Sequence, residues 1–428
     1  MITKSSEKRD ANGKSKFHMD KDWILGIYTS GGSAHERAME DLCQRIANIE
    51  KINLLSSTCT CFLFIGHFFA WVWNHAQQSG LVRLQILFGR SQMLAARIFF
   101  LPTYFTIYCR LRVRGKLLPK RVIATAPLFL SAICKAVIDA NARSCEGKIE
   151  SVDLYMIEPP TDEACYYFDT IKGLSLEKKT LLKLFAEHPT QEDSTRFQDE
   201  ENYWMEKTGL KIKQIVFDSP VKHIFKQAAT ALPYPGEAVK IHIEGYDHPF
   251  QIKAQDKVGL IMLGGIPTSD AVIRYVEAAL SLSRFSENIC NYLFVACGKK
   301  PLGLYKKMHE LLSSFQIPAS LEVIPFCNQP VEKIFGRADF SITRSGGMTS
   351  LEILELKKRK EDDKLILLHA QIDHKEPHTL SQEDLIHQGI PLWEGGNARY
   401  LSKTVPNVAI VTPRSSATFM AQKFTPIG

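Results

Sequence analysis

Residues 23 to 28 read WILGIY, an apolar run that passes into TSGGSAH (29–35) and then into a helical pattern from Glu36 to Ile49. A short apolar run, a glycine loop and a helix in that order open an α/β unit. Further runs follow at Arg121–Thr125, closed by Pro127; at Val152–Ile157, closed by Glu158, Pro159 and Pro160; and at Gln214–Phe217, closed by Ser219 and Pro220. Each stops at turn residues and is followed by a helix-like segment, as strands of a parallel sheet do. Between Thr161 and Lys213 the chain turns charged and helical, which predicts a decoration on this domain.

Ala231 to Asp256, with Pro233, Pro235, Gly236 and Gly245, breaks the pattern and reads as the crossing between domains. The rhythm then restarts. Val258–Leu263 ends in Gly264 and Gly265 and precedes a helix from Ser269 to Leu282. Tyr292–Ala296 ends in Cys297 and Gly298, and Leu321–Pro325 is the next strand. Phe340–Thr343 ends near Ser345, Gly346 and Gly347, and Leu365–His369 closes the series. The pattern predicts α/β architecture with two Rossmann-like domains in tandem, 22–235 and 256–412, each with a parallel sheet. Residues 1–21 read as a flexible tail and 413–428 as a segment crossing back to the first domain.

Composition narrows the class. The 428 residues are 45% hydrophobic and 23% charged, which suits ordinary folded domains. Ten cysteines form no CxxC pair, so neither a zinc framework nor a dithiol site is expected, and a reducing compartment is the simpler setting. The N-terminal stretch has no apolar core of an export signal, so a cytoplasmic location is expected. Charge is more informative. No Asp or Glu occurs from Lys51 to Ile138, where eleven Lys and Arg stand; the whole chain carries +7, so the rest is net negative. This asymmetry calls for an anionic partner, a membrane surface or a polyanion, and the bulky apolar neighbours favour the membrane over nucleic acid.

Within that region Cys59–Trp73 is uncharged and apolar but interrupted by His67, and it is shorter than the roughly 20 residues of a span. It predicts a helix lying on a sheet or a bilayer. Arg83, Arg90 and Arg97 recur every seven residues on one helix face, with Leu84, Leu87, Leu94, Ile98 and Leu101 around them. Residues 81–121 are therefore the candidate membrane-facing surface.

A glycine pair at a strand end is by itself only a turn. At Arg344–Glu352 (RSGGMTSLE) the glycines open a helix, whose amides and dipole can hold a diphosphate, and Glu352 can accept from a ribose diol. Thr349 and Glu352 also have the spacing of a capping box, and the two readings coexist.

These landmarks stand in an order that resembles the GT-B glycosyltransferase family containing monogalactosyldiacylglycerol synthase and the N-acetylglucosaminyltransferase of peptidoglycan lipid precursors. The matching stretches are LIMLGG (260–265), LFVACGKKPL (293–302), VIPFCNQPVEKIFGRADFSITRSGGMTSLE (323–352) and IPLWEGGNARYL (390–401), with TSGGSAHERAMEDL (29–42) in the first half. The resemblance implies a UDP-sugar site on the second domain made by Gly264, Gly265, Gly298, Lys299, Phe326, Arg344, Ser345, Gly346, Gly347, Thr349, Glu352, Glu394 and Asn397. It implies Gly31 and Gly32 as a loop ending in a catalytic base, His35.

The implied architecture is GT-B, with the parallel sheets of the two Rossmann-like domains facing across a cleft, and the implied activity is transfer of a hexose from a UDP-sugar to a hydroxyl, with inversion. The acceptor would be a lipid at an anionic membrane surface, and no metal or cofactor beyond the donor is expected. A protein acceptor, or a noncatalytic sugar-nucleotide-binding protein of the same fold, are the other readings.

Overall fold

The structure, a computed structural model, describes residues 23–29, 33–54, 60–113, 117–145, 147–189, 199–285, 290–298, 303–359, 363–372 and 380–424. The tail expected at 1–21 lies outside them.

The first domain runs β1 (Ile24–Tyr28), α1 (Ser33–Arg45), β2 (Ile49–Asn53), α2 (Thr60–Gln78), α3 (Val82–Ile98), α4 (Phe100–Val113), β3 (Arg121–Ala124), α5 (Leu130–Ala142), β4 (Ser151–Tyr155), α6 (Cys165–Lys172), α7 (Leu176–Thr180), β5 (Leu182–Ala186), α8 (Glu200–Thr208) and β6 (Ile215–Phe217). Its six strands are all parallel, in the order β2-β1-β3-β4-β5-β6. β4 is buried at every position, because helices cover both faces of the sheet.

The second domain begins earlier than the proline and glycine pattern suggests. Two single-turn helices, α9 (His223–Lys226) and α10 (Ala228–Ala231), and the antiparallel pair β7 (Val239–Ile241) and β8 (Phe250–Ile252) bury Phe225, Leu232, Ile241 and Phe250 in the second domain's core. The crossing lies near Asp218–Pro220. The stretch 231–256 is a hairpin of the second domain, rich in turn residues because it is a hairpin.

There follow β9 (Val258–Met262), α11 (Ser269–Phe285), β10 (Tyr292–Ala296), α12 (Leu304–Ser314), β11 (Glu322–Phe326), α13 (Glu332–Arg337), β12 (Phe340–Thr343), α14 (Gly347–Lys357), β13 (Leu365–His369), α15 (Gln382–Gly389), α16 (Leu392–Thr404), β14 (Val408–Val411) and α17 (Pro413–Phe424). The sheet order is β11-β10-β9-β12-β13-β14, again all parallel, which is the Rossmann order. α17 packs on α11 of this same domain, burying Met420 there. Among the described residues the final segment therefore does not cross back to the first domain, because its apolar face is already used.

The charged stretch 161–213 is more than a decoration. It contains β5, which pairs with β4 and β6 and so belongs to the sheet. In each sheet the strand order reverses once, between β1 and β3 and between β9 and β12. At such a switch point adjacent loops part and leave a crevice at the carboxyl ends of the strands.

Candidate functional site

The two crevices open into one cavity of about 490 Å³ between the domains. Its walls follow the carboxyl ends of the central strands: Thr29 and His35 after β1, Ala126 and Pro127 after β3, Ile157 and Glu158 after β4, Gly264 and Gly265 after β9, Arg344, Gly346 and Gly347 after β12. The size is that of a small-molecule site. Among the described residues, no group of three or more His, Cys, Asp or Glu is gathered as metal ligands.

His35 sits on the first turn of α1, where the strand-to-helix turn brings it to the cavity floor. Its Nδ1 lies 2.8 Å from the Thr125 carbonyl oxygen, and the Thr125 hydroxyl donates back to the His35 carbonyl at 3.2 Å. A carbonyl can only accept, so Nδ1 carries the proton and Nε2 keeps its lone pair. Burial lowers the imidazole pKa to about 4, the bond to Thr125 opposing it in part. At neutral pH the ring is an unprotonated base.

Across the cavity stands the start of α14. Gly346 is its N-cap, and no side chain caps the helix. The capping box expected from Thr349 and Glu352 is not formed, because the helix begins at Gly347 and those residues lie inside it. The first-turn amides are consequently left without a side-chain cap beside the cavity. Gly347 is required by close approach: a Cβ there would lie 2.2 Å from the Ile157 carbonyl oxygen and 2.5 Å from Glu158 Cδ, both in the other domain. Gly264 is required by conformation, with φ of +85°.

Two glutamates complete this wall. Arg344 holds Glu394 in a bidentate pair, Nη2 to Oε1 at 2.5 Å and Nε to Oε2 at 3.2 Å. Glu158 is buried against the second domain, where Asn397 Nδ2 donates to it at 2.5 Å and to the Ser345 carbonyl at 3.0 Å; the Tyr166 hydroxyl donates to its other oxygen at 3.3 Å. Burial raises the Glu158 pKa to about 8, the charge of Glu394 adding to the rise and the bonds from Asn397 and Tyr166 opposing it. The carboxyl is mostly protonated at pH 7.

Of the sequence-predicted site residues, His35, Gly264, Gly265, Arg344, Gly346, Gly347, Thr349 and Glu394 all line the cavity. Gly31, Gly32 and Lys299 lie outside the described residues. Ser345 and Asn397 stand just behind the wall, joined by their own hydrogen bond. Phe326 does not reach the site: it is 2% exposed and packs in the core, while its carbonyl accepts from the Cys297 amide. Gly298 is likewise off the cavity, its φ of +96° serving the turn against Pro267. Glu352 is buried outside the cavity lining; burial raises its pKa to about 7, against the charges of Lys222 and Arg37. Arg37, Glu158, Tyr166, Trp73 and Trp393 line the cavity without having been singled out. For Glu158 the signal was present: an acid at the carboxyl end of a parallel strand, directly before two prolines.

The acid-free segment forms α2, α3 and α4. Phe68, Trp71, Leu81, Leu87, Leu94, Ile98, Leu101 and Phe105 are each at least 46% exposed, whereas the remaining described residues have only Leu176, Met205 and Leu392 as exposed large hydrophobics. Arg83, Arg90 and Arg97 are exposed and have no acidic partner among the described residues. Within α3, Leu87 and Leu94 follow Arg83 and Arg90 by four residues, so these leucines and arginines share one exposed face instead of standing on different ones. Among the described residues no helix is long and apolar enough to cross a membrane.

No family model matches the chain, and no curated protein matches it by sequence. Solved structures to which the chain is similar include MurG from Acinetobacter baumannii (11% identity, 95% of this chain and 90% of that one, TM-score 0.41). Others are UDP-GlcNAc 2-epimerase from Methanocaldococcus jannaschii (10%, 95% and 93%, 0.42) and a UDP-forming trehalose-phosphate synthase from Burkholderia vietnamiensis (10%, 95% and 92%, 0.42).

Proposed function

We propose that this protein transfers a sugar from a UDP-sugar to a hydroxyl of a lipid lying at an anionic membrane surface, with inversion. The observation that carries the reading is the single cavity in which an unprotonated His35 from one Rossmann-like domain shares the space with the uncapped start of α14 and Arg344 from the other. The acceptor oxygen attacks the anomeric carbon while the bond from that carbon to the diphosphate oxygen breaks. His35 Nε2 takes the hydroxyl proton, and the leaving diphosphate takes the electron pair. The amides of α14, its dipole and Arg344 supply charge stabilisation at the leaving oxygen. The ordered motifs quoted above favour uridine as the base and a hexose as the sugar.

The exposed face of α3 and α4 supports the lipid acceptor. It offers apolar surface beside Arg83, Arg90 and Arg97, which have no acidic partner among the described residues, as an interfacial helix does. Titration calorimetry of the full chain with UDP, ADP and GDP tests the donor. UDP is expected to bind at least tenfold more tightly than the others; equal binding of ADP overturns the assignment. UDP binding without any hydrolysis or transfer of UDP-glucose, UDP-galactose or UDP-N-acetylglucosamine favours the noncatalytic reading instead.

A further inference from the structure

The outer part of the cavity has a different chemistry from its floor. Ala70, Trp73, Phe88, Ala95 and Phe99 of the first domain and Trp393 of the second form its wall. Trp73 and Trp393 stack across the cleft, centroids 5.6 Å apart and 28° from parallel, and Phe88 meets Trp73 edge-on at 6.4 Å. The residue that permits this is Gly89: a Cβ there would lie 2.4 Å from Trp393 Cζ3. The Trp73 indole N–H is buried with no acceptor among the described residues.

We propose that Trp73 and Trp393 form a two-domain clamp for one hydrocarbon chain of the acceptor, and so determine which acceptors reach His35. This deepens the proposed function and rests on it for the word acceptor. The lining argues for the occupant: it combines polar groups, His35, Glu158 and Arg344, with apolar Ala70, Phe88, Ala95 and Phe99, and α3, which supplies part of that apolar wall, also carries the exposed Leu87 and Leu94, so a molecule with a hydroxyl head and an apolar tail matches the cavity. The head-group oxygen passing the clamp gives the Trp73 N–H its missing acceptor. The clamp spans both domains, so only one slot is available, and a chain held there bridges them.

The test uses tryptophan quenching by brominated alcohols in the full chain carrying Trp71→Phe, which removes the exposed indole. Trp23 and Trp204 remain but are buried elsewhere. The probes are 11-bromo-1-undecanol and 3-bromo-1-propanol. Burial of each methylene tightens binding by about fourfold, so two further buried methylenes give more than tenfold. The long alcohol is expected to quench at concentrations at least tenfold lower than the short one. Gly89→Ala keeps every indole and favours the helix, but pushes the Trp393 ring aside; it is expected to remove the tenfold advantage. Trp393→Phe should remove part of the quenchable signal while leaving the thermal midpoint within a few degrees. Equal quenching by both alcohols, or an unchanged advantage in Gly89→Ala, overturns the clamp. The readout needs no donor: failure of UDP binding with quenching intact overturns the transfer reading alone, and failure of quenching with UDP binding intact overturns the clamp alone.

Discussion

Glu158→Gln separates the cost of burying a carboxyl between the domains from every other pH effect in the molecule. Burial moves this group from 4.5 to about 8. A raised carboxyl pKa means that the folded state holds a proton that the unfolded state releases. Below pH 4.5 both states are protonated and nothing is lost. Between 4.5 and 8 stability falls by about 1.4 kcal/mol per pH unit, to a total of about 5 kcal/mol, and above 8 the loss is constant. Gln keeps an oxygen for the Asn397 amide and cannot ionise, so the variant lacks the slope. Urea unfolding of both proteins at half-unit steps from pH 5 to 8.5 reads the difference directly; Glu352 and His35 titrate in both and cancel. The variant's advantage should grow by about 1 kcal/mol or more per unit between pH 5 and 7.5 and level off above 8. Parallel pH profiles would refute the reasoning, because a carboxyl that ionises freely in the folded protein is not held by Gly347 and Asn397 as the geometry has it.

Three other outcomes follow from the same structure. His35→Ala should leave UDP affinity within twofold and lower transfer by about 10² to 10⁴; the parent should keep its activity down toward pH 4 and lose stability as pH falls from 6.5 to about 4, since the unfolded imidazole gains a proton that the folded one refuses. Glu352→Gln should leave UDP affinity within threefold, because the group is buried outside the cavity lining, and should raise stability above pH 7; a tenfold loss of UDP binding would restore the ribose contact that the motif implied. Replacing Arg83, Arg90 and Arg97 together by Gln should weaken binding to anionic vesicles by about 100-fold, at roughly 1 kcal/mol per charge, and leave a salt-resistant remainder from the exposed leucines.

The strands that the sequence makes legible are those buried on both faces and closed by a turn residue, such as β4 (SVDLY) before Pro159 and β9 (VGLIM) before Gly264. β2 (IEKIN) escapes because it is an edge strand with only Ile52 buried, and β5 (LKLFA) because charged helices flank it in sequence although the sheet covers it in space. The site divides in the same way. Glycine loops and a histidine at a helix start are local signals, so eight predicted residues line the cavity. Phe326 is buried in the core and is not among the lining residues, and its neighbours in sequence give no sign of which face of β11 is covered. Glu158, Trp73 and Trp393 escape because their significance is non-local: the chain contains many glutamates, and this one is distinguished only by Gly347 and Asn397 arriving from the other domain.

Those non-local contacts between the domains are of two unlike kinds. In one seam α2, α3 and the turn between them touch the second domain through Thr268 Oγ1 donating to the Gln77 carbonyl at 2.9 Å, through Trp393 on Gly89, and through the Gln371 side chain packed on Gly80. These are the helices whose outer face is apolar and basic. The second seam, which begins one turn further along the helix that carries Trp393, is polar, with Arg399 paired to Glu163 and Asn397 bonded to Glu158. Opening the polar seam admits water to a carboxyl that at pH 7 is protonated only because it is buried, so ionisation favours the open state there by several kcal/mol. Met348 of α14, seated in the first domain's core, and the aromatic contact at Trp393 oppose that opening with apolar burial. The balance between the seams therefore shifts toward opening as pH rises. Part of the closed cleft is made by α2 and α3, the helices of the candidate membrane face, so docking at a bilayer and enclosure of the reacting groups share a structural element.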